Sequence, residues 1–230
     1  MSNCSSLKGP ESNAIFLSLA LAVSLFCPSL VSANDQQSTY EIELDIQWTQ
    51  DRMPYEYPLQ AHMSGLIGLT HNTRFSLFQD GDTASSGLEL VAENGRSGIL
   101  RAQFEELERR DRIGAIIDGK GLKNVPGTIS ARFETTRSHP LLSVVTMLAP
   151  SPDWFTGVSA VNLLKDDQWI DSIQQTLWVW DAGTDSGPTF TSKNADTQPR
   201  QSVRLLATPH FFNNNGLIGI GTIKIKRIDS

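Results

Sequence analysis

The chain has little cysteine and no excess of basic residues. Only two of its 230 residues are cysteine, Cys4 and Cys27. A scaffold held by several disulfides, or a cysteine-rich zinc module, needs more thiols than that. The formal net charge is −6, with 19 Lys and Arg against 25 Asp and Glu. This is the wrong sign for a protein that binds phosphate backbones through its net charge, so we expect no nucleic-acid partner.

The chain also lacks an apolar run long enough to cross a bilayer, which takes about 20 residues. Residues 14–26 form an uncharged apolar run of 13, AIFLSLALAVSLF, the length of a signal-peptide core. Small residues at Val31-Ser32-Ala33 follow, as a cleavage site requires. We predict a signal peptide over 1–33 that carries both cysteines, and one secreted or periplasmic domain over 34–230 without a transmembrane segment.

Strict alternation of apolar and polar residues indicates a strand early in the predicted domain. Residues 40–48 read YEIELDIQW, and this period of two predicts one buried face. The inward residues would be Tyr40, Ile42, Leu44, Ile46 and Trp48. Near the other end, residues 217–228 are rich in isoleucine and contain Gly219 and Gly221, which indicate a bulge or a close backbone approach. We predict that the two terminal strands lie in one sandwich and are neighbours.

Helical patterning occupies the segment between the early strand and the second half of the chain. Residues 87–95 follow two serines and end at a glycine, as helices commonly begin and end. Leu100, Phe104 and Leu107 then share one helical face, with Ser97 as the candidate N-cap. Strand patterns return at 129–135, 141–149, 157–164, 173–180 and 203–207. The predicted fold is mainly β: an antiparallel β-sandwich with one or two short helices around residues 86–113.

Three aspartates fall at one end of this predicted sandwich. If strands 141–149, 157–164 and 173–180 run up, down and up, the loops after the first and the third meet. Asp153 lies in one loop, and Asp181 and Asp185 lie in the other. Neighbouring carboxylates repel one another unless a cation lies between them, and calcium takes 6–8 oxygen ligands. From the residues alone two interpretations stay open, a calcium site and aspartates that cap turns by Asx hydrogen bonds.

Two other groups of residues have both a functional and a structural interpretation. Trp154 and Phe155 beside Asp153 are candidates for ligand contact if they are exposed, and core anchors if they are not. His62 and His71 are candidate ligands of a catalytic zinc together with a carboxylate. They are equally compatible with core or loop histidines that bond to the backbone, which is the interpretation we favour.

Two long segments resemble the spondin domain family. They are residues 139–159, HPLLSVVTMLAPSPDWFTGVS, and residues 180–192, WDAGTDSGPTFTS. Shorter matches occur around Trp48, in 57–72 and in 86–95, so that the resemblance covers roughly residues 38–228. It implies a β-sandwich similar to the calcium-binding membrane-targeting module of protein kinase C. It also implies a calcium ion held by the aspartates that match Asp153, Asp181 and Asp185.

The sequence therefore predicts a non-enzymatic, extracellular, calcium-binding module for adhesion or for recognition of a carbohydrate, lipid or protein. Its ligand and its oligomeric state are not predicted. The alternatives are a metal-dependent hydrolase that uses His62 and His71, and a purely structural component of an extracellular matrix. No catalytic residue is predicted under the favoured interpretation.

Overall fold

The computed structural model describes Met1 and residues 36–229, and residues 36–229 fall within one compact unit. The predicted signal peptide lies outside the described residues, apart from Met1, and stays a prediction. Within the described part of the chain, no helix is both long enough and apolar enough to cross a membrane.

The described residues form strands, two α-helices and one 3-10 turn. In chain order these elements are β1 (Gln37–Ile46), β2 (His62–Met63), β3 (Leu66–His71), α1 (Ser86–Asn94), α2 (Gly98–Glu108), β4 (Ile113–Gly119), β5 (Gly127–Thr136), β6 (Leu141–Ala149), β7 (Trp154–Asn162), β8 (Leu164–Lys165), β9 (Gln168–Trp169), β10 (Ser172–Leu177), β11 (Val179–Asp181), β12 (Arg204–Leu205), the 3-10 turn (Pro209–Phe211), β13 (Phe212–Asn213), β14 (Gly216–Leu217) and β15 (Gly221–Arg227). The prediction of a mainly β, antiparallel fold with two short helices is confirmed. Its similarity to the protein kinase C module stays a prediction.

The two terminal strands pair, as the sequence predicts. The first sheet has the order β10-β15-β1-β5, and β1 pairs antiparallel with β15 from Tyr40 opposite Arg227 to Ile46 opposite Gly221. All five residues predicted to face inward are buried. A Cβ atom at Gly221 would lie 2.0 Å from the carbonyl oxygen of Asp45, so the glycine is needed for this close pairing.

The second sheet carries the predicted site. Its order is β12-β11-β7-β6-β3-β4, with β2 paired to β6. Every residue of β6 is buried, because one face of the strand meets the first sheet and the other meets the helical layer. Val144 belongs to the core between the sheets, whereas Val145 belongs to the core under α1 and α2.

Both helices form where the apolar spacing predicts them, but only α1 has a side-chain cap. The Ser85 hydroxyl accepts a hydrogen bond from the Leu88 amide at 3.2 Å, and Gly95 ends α1 in the left-handed conformation. Ser97 precedes α2 as expected but makes no side-chain cap bond. Leu100 and Phe104 face the sheet and are buried.

The structure corrects two strand boundaries. The predicted strand over 157–164 begins earlier, at Trp154. The predicted strand over 173–180 is two strands: β10 lies in the first sheet and β11 lies in the second. The chain changes sheets at Trp178, and the alternation of Ile173, Leu177 and Val179 runs through this point. An apolar pattern of this kind cannot indicate which sheet a strand joins.

Candidate functional site

The three aspartates predicted as a site lie together at one end of the second sheet. Asp153 immediately precedes β7, and Asp181 ends β11, where it pairs with Trp154. Asp185 lies four residues farther along the chain. All three are buried, with 0%, 6% and 6% of their surfaces exposed. Antiparallel pairing of β7 with β11 therefore brings the two predicted loops together.

Asp153 is held by the loop that contains the other aspartates. Its Oδ2 accepts hydrogen bonds from the backbone amides of Thr184 at 2.7 Å and Asp185 at 3.1 Å. Its Oδ1 is buried and has no hydrogen-bond partner. Burial and then the charge of Asp181 raise the pKa of Asp153 to about 6. A buried anionic oxygen without a donor is costly, and this is the observation on which the fit to a cation depends.

The other two aspartates cap their own loop, as the Asx interpretation predicts. Asp181 Oδ1 accepts from the Gly183 amide at 2.8 Å, and Asp185 Oδ1 accepts from the Gly187 amide at 2.7 Å. The Ala195 amide donates to Asp185 Oδ2 at 2.9 Å. Both bonds to the residue two positions on are typical Asx turns. Turn capping and proximity of the carboxylates therefore coexist in this loop.

Tight backbone packing fixes the loop under the carboxylates. Gly183 has φ +72°, and a Cβ atom there would lie 2.4 Å from the carbonyl oxygen of Gln201. Only glycine fits both the left-handed conformation and this contact. The result is that the Thr184 and Asp185 amides point at Asp153.

A cationic side chain, which the sequence analysis missed, already touches the cluster. Arg204 lies opposite Asp181 in the pairing of β11 with β12, and its guanidinium donates to Asp181 Oδ2 at 2.9 Å. The side chain of Arg204 is 59% exposed. No local motif connects Arg204 to Asp181, because 23 residues separate them and only strand pairing brings them together.

The oxygen atoms of these side chains are of the kind that calcium binds, but the side chains alone do not complete a site. Calcium favours carboxylate and carbonyl oxygens, and Asp153, with its unpartnered Oδ1, lies close enough to Asp181 and Asp185 for their charges to raise its pKa. In the described part of the chain, however, no three His, Cys, Asp or Glu side chains are arranged to hold a metal by themselves. A calcium ion here would require backbone carbonyls or water as further ligands.

The two histidines are accounted for by structural contacts. His71 is completely buried, and its Nε2 lies 2.7 Å from Ser143 Oγ while its Nδ1 lies 2.9 Å from the Asn72 carbonyl oxygen. His62 Nδ1 lies 2.7 Å from the Gln60 carbonyl oxygen. These are the backbone and core contacts that we favoured from the sequence.

Trp154 and Phe155 are buried, as expected for core anchors rather than for exposed ligand-contacting residues. Trp154 is 2% exposed and Phe155 is fully buried. Both belong to β7, so they point to opposite faces. Trp154 packs on Phe190 at 5.0 Å between ring centroids, in the core between the sheets. Phe155 packs on Phe78 at 5.0 Å, under the helices.

The fold and the cluster define an antiparallel β-sandwich with a helical cover and an aspartate-rich loop site. The sequence profile of the Spondin_N family matches residues 38–215. The chain therefore belongs to the spondin N-terminal domain family, as the resemblance predicts.

Curated relatives agree with this assignment. Human spondin-2 is 35% identical over 168 residues, which cover 71% of this chain and 51% of that protein. Rat spondin-1 is 36% identical over 169 residues, 70% of this chain and 21% of that protein. Spondin-1 of Xenopus laevis is 33% identical over 195 residues, 79% of this chain and 24% of that protein. The chain thus spans about half of spondin-2 and about a fifth to a quarter of spondin-1.

Proposed function

We propose that this protein is an extracellular, calcium-stabilised recognition module that acts in adhesion or ligand capture. The observation that best supports calcium binding is that Asp153 Oδ1 is buried without a hydrogen-bond partner. Asp181 and Asp185 lie close enough for their charges to raise the pKa of Asp153. Bound calcium would give this oxygen a positive partner and would offset the repulsion among the three carboxylates. Membership of the spondin family and the predicted signal peptide support the extracellular location.

In this proposal Asp153, Asp181 and Asp185 bind the ion together with backbone carbonyls or water, and the charge of the ion fixes the loop after β11 against the start of β7. The ion then acts as a cross-link between two segments that are distant in sequence. Because only the folded loops bring these carboxylates together, calcium stabilises the native state by mass action. The aspartates do not perform chemistry on a substrate.

Calcium titration of the full chain tests the proposal. We expect calorimetric heat of binding and a higher melting temperature in millimolar calcium than in EDTA. Asp181→Asn should lose both effects, because it removes one of the proposed ligand charges. The matched control is Asp166→Asn, at an exposed turn residue with φ +49° that asparagine also tolerates. Absence of heat with the unmodified chain, or equal heats for Asp181→Asn, would overturn the calcium site.

A further inference from the structure

A second concave site lies apart from the aspartates and is lined in part by residues of β7 and β11. It is a cleft of about 820 Å³ between residues 157–160 of β7, the 175–180 segment and the loop over 73–80. None of Asp153, Asp181 and Asp185 lines it. Its volume falls in the range of small-molecule sites, about 300–1,000 Å³.

Two tryptophans give the cleft an aromatic wall. Trp178 and Trp180 are both partly exposed, whereas Trp48, Trp154 and Trp169 are buried. Trp180 packs edge-to-face with Phe78, which also lines the cleft, at 5.4 Å between ring centroids. Trp178, at the point where the chain changes sheets, belongs to neither hydrophobic core. A partly exposed indole that lies in a concave surface and outside both cores is a candidate for contact with a ligand.

The other residues around the cleft combine neutral polar side chains with apolar ones. Gln79 and Gln175 offer amide donors and acceptors, and Ser159 and Thr176 offer hydroxyls. Among the described residues that line the cleft, Asp80 is the one charged side chain, and none is Lys, Arg or His. Phosphate, sulfate or carboxylate groups would find no cationic partner there, and a purely apolar ligand would leave the amides and hydroxyls unpaired.

We propose that this cleft binds a neutral oligosaccharide. A sugar ring has an apolar C–H face and a rim of hydroxyls, and it needs an aromatic surface together with neutral hydrogen-bonding groups. Trp178 and Trp180 provide the surface, because the negative face of an aromatic ring attracts the C–H groups. The amides and hydroxyls that also line the cleft pair with the sugar hydroxyls. This proposal specifies the ligand class of the proposed recognition function, and it is independent of the calcium site.

Neutral tetrasaccharides are the probes for the full chain. Glucose, mannose and N-acetylglucosamine tetramers are each titrated in calcium and in EDTA, with calorimetry and tryptophan fluorescence as readouts. A heparin tetrasaccharide and phosphatidylserine vesicles serve as anionic comparisons. We expect at least one neutral tetramer to bind and to change the fluorescence, and the anionic probes not to bind.

Two substitutions alter the cleft in different ways. Trp178→Ala removes the stacking surface and should weaken binding roughly tenfold or more. Ser159→Tyr keeps both tryptophans but fills the cleft, and it should abolish binding. The matched control is Phe212→Ala, at a 50% exposed aromatic residue of β13 that does not line the cleft. Circular dichroism and the melting temperature establish that each variant is folded.

The outcomes separate the two proposals. Binding of no neutral tetramer at millimolar concentration, binding that survives both cleft variants, or binding of the anionic probes alone would overturn the glycan site. Glycan binding without any calcium heat would overturn the calcium site only. Calcium heat without glycan binding would overturn the glycan site only.

Discussion

At the scale of single residues, Asp153 is the least well compensated polar group of the candidate site. It accepts two backbone hydrogen bonds at Oδ2, but Oδ1 is buried without a partner beside two further carboxylates. Arg204 neutralises Asp181 from the solvent side and does not reach Asp153 through any hydrogen bond or ion pair found in the described residues. In the absence of a bound cation, the charge of Asp153 therefore weakens the fold.

Asp153→Asn should consequently stabilise the calcium-free protein. The asparagine carbonyl oxygen can still accept the amides of Thr184 and Asp185, while the buried negative charge is removed. We expect a gain of about 1–3 kcal/mol in the free energy of unfolding near pH 7, the size that corresponds to a carboxyl pKa raised by one to two units. Urea unfolding in EDTA measures this gain, and the same variant should no longer respond to calcium. A variant that unfolds more readily than the parent chain in EDTA would contradict the prediction.

His71 provides a pH dependence of known sign. Burial lowers the pKa of His71, so the folded protein resists protonation of a ring that the unfolded chain protonates near pH 6.5. Below that pH the unfolded chain binds a proton that the folded protein does not. The free energy of unfolding therefore falls as the pH drops below about 6.5 and is unaffected by His71 well above it. His71→Gln, which keeps hydrogen-bonding capacity, should lose stability less steeply between pH 7 and pH 5. Urea unfolding at several pH values measures the two slopes, and parallel slopes would refute the prediction.

At the scale of elements, the two helices differ in how they begin. Ser85 caps α1 with its hydroxyl, whereas Ser97 precedes α2 without such a bond. Ser85→Ala should cost about 0.5–2 kcal/mol of stability, and Ser97→Ala should cost much less. Thermal unfolding of the two variants makes the comparison within one protein. Equal losses would mean that the hydroxyl of Ser85 does not stabilise α1.

Elements with one buried face were predictable, and elements set by long-range contacts were not. The β1 pattern predicted its inward residues, because alternation reports burial directly. The start of β7 was missed because Trp154 and Phe155 are both apolar and face two different cores. The division of the 173–180 segment was missed because β10 and β11 share one alternation. The alternation of loops between the two ends of the sandwich predicted that Asp153 and Asp181 lie at the same end. It could not predict Arg204, which is brought to Asp181 by the pairing of β12 with β11.

The cleft could not be predicted from the sequence for the same reason. Trp178 and Trp180 follow the pattern of a half-buried strand, and nothing local distinguishes an outward tryptophan from an inward one. The change of sheet at Trp178 and the path of the 73–80 loop together create the concavity. A functional surface built from three distant segments is visible only after folding.

At the scale of the whole molecule, the strands near the two ends of the described chain lie side by side within one sheet. In the order β10-β15-β1-β5, both β15 and β1 are interior strands. Ile225 is fully buried and lies opposite Ile42 on one side and Ile173 on the other. Folding of this sheet therefore needs residues near position 42 and residues near position 225 at the same time, which gives the domain a high contact order.

Ile225→Ala should for this reason destabilise the entire sandwich rather than fray its end. The cavity lies between the two sheets, where the core spans both of them, so we expect a loss of about 2–5 kcal/mol in a single cooperative transition. Lys224→Ala, one residue earlier on the exposed face of the same strand, should change stability by less than about 0.5 kcal/mol. Urea unfolding followed by circular dichroism and by the fluorescence of the buried tryptophans makes the comparison. Two outcomes would contradict the prediction: different unfolding midpoints by circular dichroism and by fluorescence, or an unchanged midpoint for Ile225→Ala. Either would mean that the terminal strands unfold independently of the rest of the sandwich.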